Sequence, residues 1–182
     1  KLWRKKFCSA VFSSRRRTGF GARLEEIDAY ARLSRRDAVE RILGGVRTVA
    51  RTPAPEGVDG WTPPYRVRQM PAEERKLFVR DQIERGLALK AWWLSEMLGT
   101  DSPLSERMTL FWHNHFTSSL QKVRSAGLMY RQNALLRKHA LGSYADLLHD
   151  ISKDPAMLVY RDAATIRRGR PTENFAREVM EL

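Results

Sequence analysis

Apolar residues recur at helical spacing along most of this chain, and strand-like alternation is scarce. From Glu73 to Leu98 the sequence sets Leu77, Val79, Ile83, Leu87, Ala91, Leu94 and Leu98 at near-helical intervals, thickens them with Trp92 and Trp93, and closes at Gly99. That spacing predicts a long amphipathic helix. Upstream, Gly19-Phe20-Gly21-Ala22 reads as a turn into a short helix carrying Leu24, Ile27 and Tyr30. Ser34 with Asp37 resembles a capping box, opening a helix that runs to Leu43 and stops at Gly44-Gly45. Residues 52–71 hold Pro53, Pro55, Pro63, Pro64, Pro71, Gly57 and Gly60, so they form a long irregular connection. Trp61 and Tyr65 predict that this connection packs back onto the body.

Ser102-Pro103 has the form of an N-cap followed by proline at the first helical position. The helix it opens carries Leu104, Met108, Phe111, Trp112 and His115 on one stripe. A third helix is expected over 126–141, ending at Gly142. Ser143 with Asp146 caps a fourth that carries Leu147, Leu148 and Ile151, and Asp154-Pro155 starts a short one through Tyr160. After a basic turn from Arg161 to Pro171, Thr172 caps a last helix with Phe175, Val179 and Leu182 on its stripe. The sequence stops there at an apolar residue with no cap, which reads as a piece of a longer protein. The expected class is all-α: an irregular multi-helix bundle, an incomplete part of a larger helical domain.

A chain of 182 residues suits one domain, and a hydrophobic content of 42% argues that it packs a core. No apolar run approaches the roughly 18 residues of a membrane span. Cys8 is the single cysteine, which excludes an intrachain disulfide and a cysteine-based zinc site. The net charge of +12 suggests nucleic acid, but residues 1–24 carry eight basic side chains and no acidic one, leaving +4 for the other 158. The basicity therefore belongs mainly to a tail, taken as residues 1–17, ahead of a helical region over 18–182. That tail reads as a solvated terminus, as an electrostatic arm for phosphates or anionic lipid, or as a poor export signal with too short an apolar stretch. Nucleic-acid binding through it is the weakest functional reading.

Three constellations could carry chemistry. Trp112-His113-Asn114-His115-Phe116 holds two of the four histidines, and imidazole serves both as metal ligand and as acid/base near neutral pH. Residues two apart on a regular helix point about 200° from each other, so His113 and His115 share a metal only if the helix ends or unwinds there. The following Thr117-Ser118-Ser119 permits that. Otherwise each is a core or interface imidazole. The second constellation is Glu173, Asn174, Arg177, Glu178 and Glu181. Glu173–Arg177–Glu181 has the spacing of a surface salt-bridge ladder, while Glu173 or Glu178 could instead serve as an oxygen ligand or general base beside the histidines. Two histidines with one or two carboxylates would suit a transition metal without selecting which. The third is the basic stretch Arg161, Arg167, Arg168 and Arg170, with Lys122, Arg124, Arg131, Arg137 and Lys138 upstream, which could fork onto an anion or simply face solvent. His139 and His149 have no such company in sequence. Glycine-rich phosphate loops, nucleophile elbows and nucleic-acid modules are absent from the sequence.

The run Glu106-Arg107-Met108-Thr109-Leu110-Phe111-Trp112-His113-Asn114-His115-Phe116 resembles a bacterial family known as domain of unknown function 1800. The likeness continues through Tyr130-Arg131-Gln132-Asn133, Leu135-Leu136-Arg137, Ala140-Leu141-Gly142 and Lys153 to Tyr160, and on to Glu173-Asn174-Phe175-Ala176-Arg177-Glu178. Weaker similarity reaches back to Thr18-Gly19-Phe20-Gly21-Ala22. Residues 1–17 depart from the family pattern, and Thr172 stands where asparagine is more usual. The resemblance implies a helical protein two to three times this length, with a C-terminal half that follows Leu182. It also implies export from the cell and a phosphatase-like partner protein; the N-terminus as it stands would instead suit the cytoplasm. It brings no established activity. The functional expectation is a polar, metal-capable site in which His113 and His115 are ligands or acid/base groups and Asn114 orients them. Glu173 or Glu178 supplies a carboxylate, and Arg177 steadies it or binds an anion. Hydrolysis or oxidation is the generic chemistry of such a set. The alternative is a non-catalytic helical scaffold that docks a partner.

Overall fold

The computed structural model describes residues 18–21, 23–58 and 60–163, with Arg177. Among them every regular element is a helix. In chain order these are α1 (Leu24–Ala31), α2 (Arg35–Gly44), α3 (Pro64–Gln69), α4 (Ala72–Gly99), α5 (Pro103–His115), α6 (Leu120–Val123), α7 (Ala126–Lys138), α8 (Tyr144–Ile151) and α9 (Pro155–Tyr160). The fold is an all-α multi-helix arrangement. The last expected helix, from Thr172, lies outside the described residues, as do residues 1–17.

Three helix starts follow the caps written in the sequence. The Ser34 side chain accepts from the Asp37 N–H, Ser143 from the Asp146 N–H, and Asp154 from the Met157 N–H. Each satisfies a backbone donor that a helix start leaves orphaned. Ser102 precedes Pro103 as expected but makes no side-chain cap bond; its hydroxyl instead meets Ser105 Oγ at 2.7 Å and accepts from the Arg47 N–H at 3.2 Å. That pairing ties the start of α5 to the segment after α2.

α7 is the hub, packing against α4, α5, α6, α8 and α9. One apolar cluster joins Leu89, Val123, Ala126, Leu128, Met129 and Ala156 to Val58 of the proline-rich connection. The other joins Phe116, Leu136, Leu147, Ile151 and Met157, with Trp112 packed on it. The connection is held by Val58, which is wholly buried, whereas Trp61 and Tyr65, the expected anchors, are exposed. A carboxylate holds its start: buried Glu96 of α4 accepts from the Arg51 N–H at 2.7 Å and the Thr52 N–H at 3.1 Å. A Pro/Gly-rich segment has few ladder partners of its own, so side chains serve its backbone: Glu96 at its start and Arg85, which donates to the Gly57 carbonyl, further along.

The long helix forms where expected but turns an unexpected side inward. Its buried positions are Gly86, Leu89 and Glu96, with Trp92 and Trp93 partly covered. Ile83, Leu87, Leu94 and Leu98 are 56–68% exposed. At 100° per residue those four share an arc of about 60°, roughly 150° from the buried face. The stripe that such a pattern ordinarily turns to a core therefore faces away from the body. α5 shows a related reversal. Phe111 of its expected stripe is exposed, and the positions it buries are Ser105, Glu106 and Thr109.

Candidate functional site

α5 runs unbroken through His115 and ends at Phe116, whose N–H still bonds the Trp112 carbonyl at 2.8 Å. The two histidines therefore lie on a continuous helix and meet different neighbours. His113 is half-buried and sets its ring edge-on to Trp93 of α4, 5.1 Å between centroids. Burial disfavours the imidazolium, so the His113 pKa lies below its ordinary 6.5. His115 sits instead among Phe111, Trp112, Phe116 and Tyr144, with ring centroids 6.4, 5.7, 4.7 and 6.5 Å away. Its Nε2 is buried and has no hydrogen-bond partner. Asn114 is exposed between them, and its carbonyl accepts from the Thr117 hydroxyl at 2.8 Å. The structure does not bring His113 and His115 to one point.

Glu173 and Glu178 lie outside the described residues. Arg131 and Arg177 are both exposed. Among the described residues, no three His, Cys, Asp or Glu side chains gather as a metal would require. No helix among them is long and apolar enough to cross a membrane.

The polar groups that do converge are ones the sequence pattern hid. Arg137 of α7 forks onto Glu106 of α5, Nε to Oε1 at 2.6 Å and Nη2 to Oε2 at 2.9 Å. The Trp93 indole N–H donates to the same carboxylate at 3.0 Å, and the guanidinium lies 5.5 Å from the centre of the Trp92 ring. His113 thus touches, through Trp93, a buried charge-assisted network joining α4, α5 and α7. A second chain links the Ser118 hydroxyl to Gln132 and the Gln132 amide to Asp154 at 2.9 Å, tying the turn after α5 to α7 and α9. Burial raises the Asp154 pKa, and its bonds from Met157 and Gln132 only partly oppose that. In the two networks Glu106 and Asp154 each bond groups on other helices or helix starts.

His139 and His149, expected to be without company, share one: Asp150 meets His139 Nε2 at 2.8 Å and His149 Nδ1 at 3.3 Å. Sequence distance concealed the first of these, because His139 ends α7 and Asp150 belongs to α8. Those two bonds hold the Asp150 carboxyl below its ordinary range. A cleft of about 440 Å³ runs beside this pair, between residues 48–50 and α7, with Tyr130, Leu135 and Lys138 in its wall. Neither His113 nor His115 lines it.

Residues 14–182 match the model of a family described as protein of unknown function, DUF1800. The chain belongs to that family. The match takes in both networks and both histidines of α5, and the DUF1800 description carries no activity. No curated protein and no solved structure matches the chain.

Proposed function

We propose that this DUF1800 chain acts as a non-catalytic helical scaffold that docks a partner through the outer face of α4. One observation carries the reading: Ile83, Leu87, Leu94 and Leu98 form a contiguous apolar stripe at 56–68% exposure on a helix whose opposite face is anchored in the body. Contiguous exposed apolar surface marks interaction sites in stable proteins. The buried carboxylates, by contrast, are engaged in holding helices together. A photo-crosslinking residue placed at Leu94 in cells should trap one identified polypeptide reproducibly, in competition with added purified chain, while the same residue at exposed Glu40 of α2 should not. Equal labelling at both positions, or none at Leu94, overturns the reading.

A second reading is favoured by His115, whose buried Nε2 lacks a partner. A buried imidazole nitrogen without a bond costs free energy unless something uses it. Here His115 would act as ligand or acid/base group, with Glu173 or Glu178 as carboxylate and Arg177 steadying it, in hydrolysis or oxidation. Elemental analysis of the protein beside a folded His113→Ala/His115→Ala variant tests it. About one equivalent of transition metal, lost in the variant, supports metal use; no metal in either removes it.

A further inference from the structure

The cleft between residues 48–50 and α7 is separate from the α4 stripe, since no α4 residue lines it. Its volume of about 440 Å³ lies within the range of small-molecule sites. Val49, Ala50, Ala134 and Leu135 form apolar wall, and Thr48 and Tyr130 each bring a hydroxyl-bearing side chain. The charged groups are Arg137, Lys138 and Asp150. How far each of these is already engaged decides what the cleft can take.

Arg137 is neutralised by its two bonds to Glu106. Asp150 has both oxygens in use, Oδ2 meeting His139 Nε2 at 2.8 Å and Oδ1 meeting His149 Nδ1 at 3.3 Å. Lys138 differs. Its Nζ stands 3.7 Å from Asp150 Oδ2, close enough for an ion pair and too far for a hydrogen bond. Among the described residues, nothing accepts a hydrogen bond from that ammonium or from the hydroxyls of Tyr130 and Thr48. The groups left over are donors, one with a full positive charge, beside apolar wall. We propose that the cleft binds a small organic carboxylate. Its carboxylate meets the Lys138 ammonium, and its apolar body, one ring or a short branched chain, lies against Val49, Ala134 and Leu135. A charged acceptor makes the strongest bond with an ammonium. A cationic ligand would find the one carboxylate of the wall already bonded twice. Asp150 opposes the anion, because its charge stays in the wall; the Lys138 pair and the two imidazole bonds offset that charge in part.

An NMR titration of the isotope-labelled full chain with phenylacetate, phenylacetamide and phenethylamine tests the proposal. Phenylacetate should bind with a dissociation constant of about 1 mM or below, and the amide and the amine at least about tenfold more weakly. Raised salt should weaken the acid and leave the amide unchanged. Lys138→Met should cost the acid at least about tenfold in affinity. Its melting temperature should stay near wild type, because that side chain is 66% exposed. Val49→Asp, at a position 69% exposed, should also weaken the acid by placing a like charge beside it. The same carboxylate contact serves a free acid or the C-terminus of a peptide. Acetylglycylleucine binding more tightly than phenylacetate supports the peptide source, and weaker binding supports the free acid. Amide or amine binding as tight as the acid overturns the proposal. So does acid affinity that Lys138→Met leaves intact, or an absence of shifts at about 10 mM phenylacetate.

Discussion

Arg137 and Glu106 meet with their side chains 1% and 3% exposed, thirty-one positions apart in sequence, as the only charged pair of that depth among the described residues. Two charges removed from water this completely are held by mutual bidentate bonding and by the Trp93 indole N–H. Removing one partner strands the other. Arg137→Met should therefore destabilise the protein by about 3–5 kcal/mol, whereas Glu106→Leu/Arg137→Met should recover most of the loss. Urea denaturation of the three proteins measures both numbers. A double variant as unstable as the single one would mean that the network does more than pair two charges.

His113 should make the fold acid-sensitive in a defined window. Burial holds its pKa below 6.5, so as pH falls beneath 6.5 the unfolded chain binds a proton that the folded chain resists. Stability is then lost progressively from about pH 6.5 downward until the folded pKa is passed. His113→Phe keeps an aromatic edge for Trp93 and removes the titration. Its melting temperature should fall less than wild type between neutral pH and pH 5, and equal slopes would contradict this account.

Asp150 works lower on the scale; its pKa is also lowered, but by bonds that favour the charged form. Bonds from His139 and His149 favour its carboxylate, so their contribution is present above its ordinary 3.8 and lost as pH falls through the lowered folded value. Asp150→Asn should lower the melting temperature at neutral pH and leave the difference from wild type smaller near pH 3. Because the carboxylate is open to solvent, raised salt should shrink the neutral-pH effect.

Two glycines separate backbone contacts from side-chain contacts. A Cβ on Gly127 would lie 2.4 Å from the Val58 carbonyl oxygen and 2.5 Å from that of Gly60, both main-chain atoms that cannot step aside. Gly127→Ala should cost about 1–3 kcal/mol and loosen the proline-rich connection from α7. At Gly86 the nearest atom is Leu120 Cδ2 at 2.5 Å, a methyl group that a rotamer change can move. Gly86→Ala should be close to neutral, since the helix gains up to about 1 kcal/mol from alanine. Thermal unfolding compares the pair directly.

Much of the local structure was legible along the chain. Ser34, Ser143 and Asp154 announced their helices because an N-cap acts on donors only two or three residues away. The all-α class followed from periodicity alone, as did the existence of α4 and its end at Gly99, and the long matching words already pointed to the family. Which face of α4 turns inward was not legible. An apolar stripe says that a surface prefers to be covered and is silent about what covers it, and here tertiary packing gave the core side to Gly86, Leu89 and Glu96. Nor were the buried pairs, because Glu106 and Arg137 read singly as solvent-facing charges, and only α5 against α7 makes them partners. The same limit applies to the two histidines of α5. Their identity and two-residue spacing come from the sequence, but the unbroken helix that sends one to Trp93 and the other among Phe111, Phe116 and Tyr144 is a tertiary fact. Local interactions decide where helices begin and end; long-range packing decides which of their faces and charges meet.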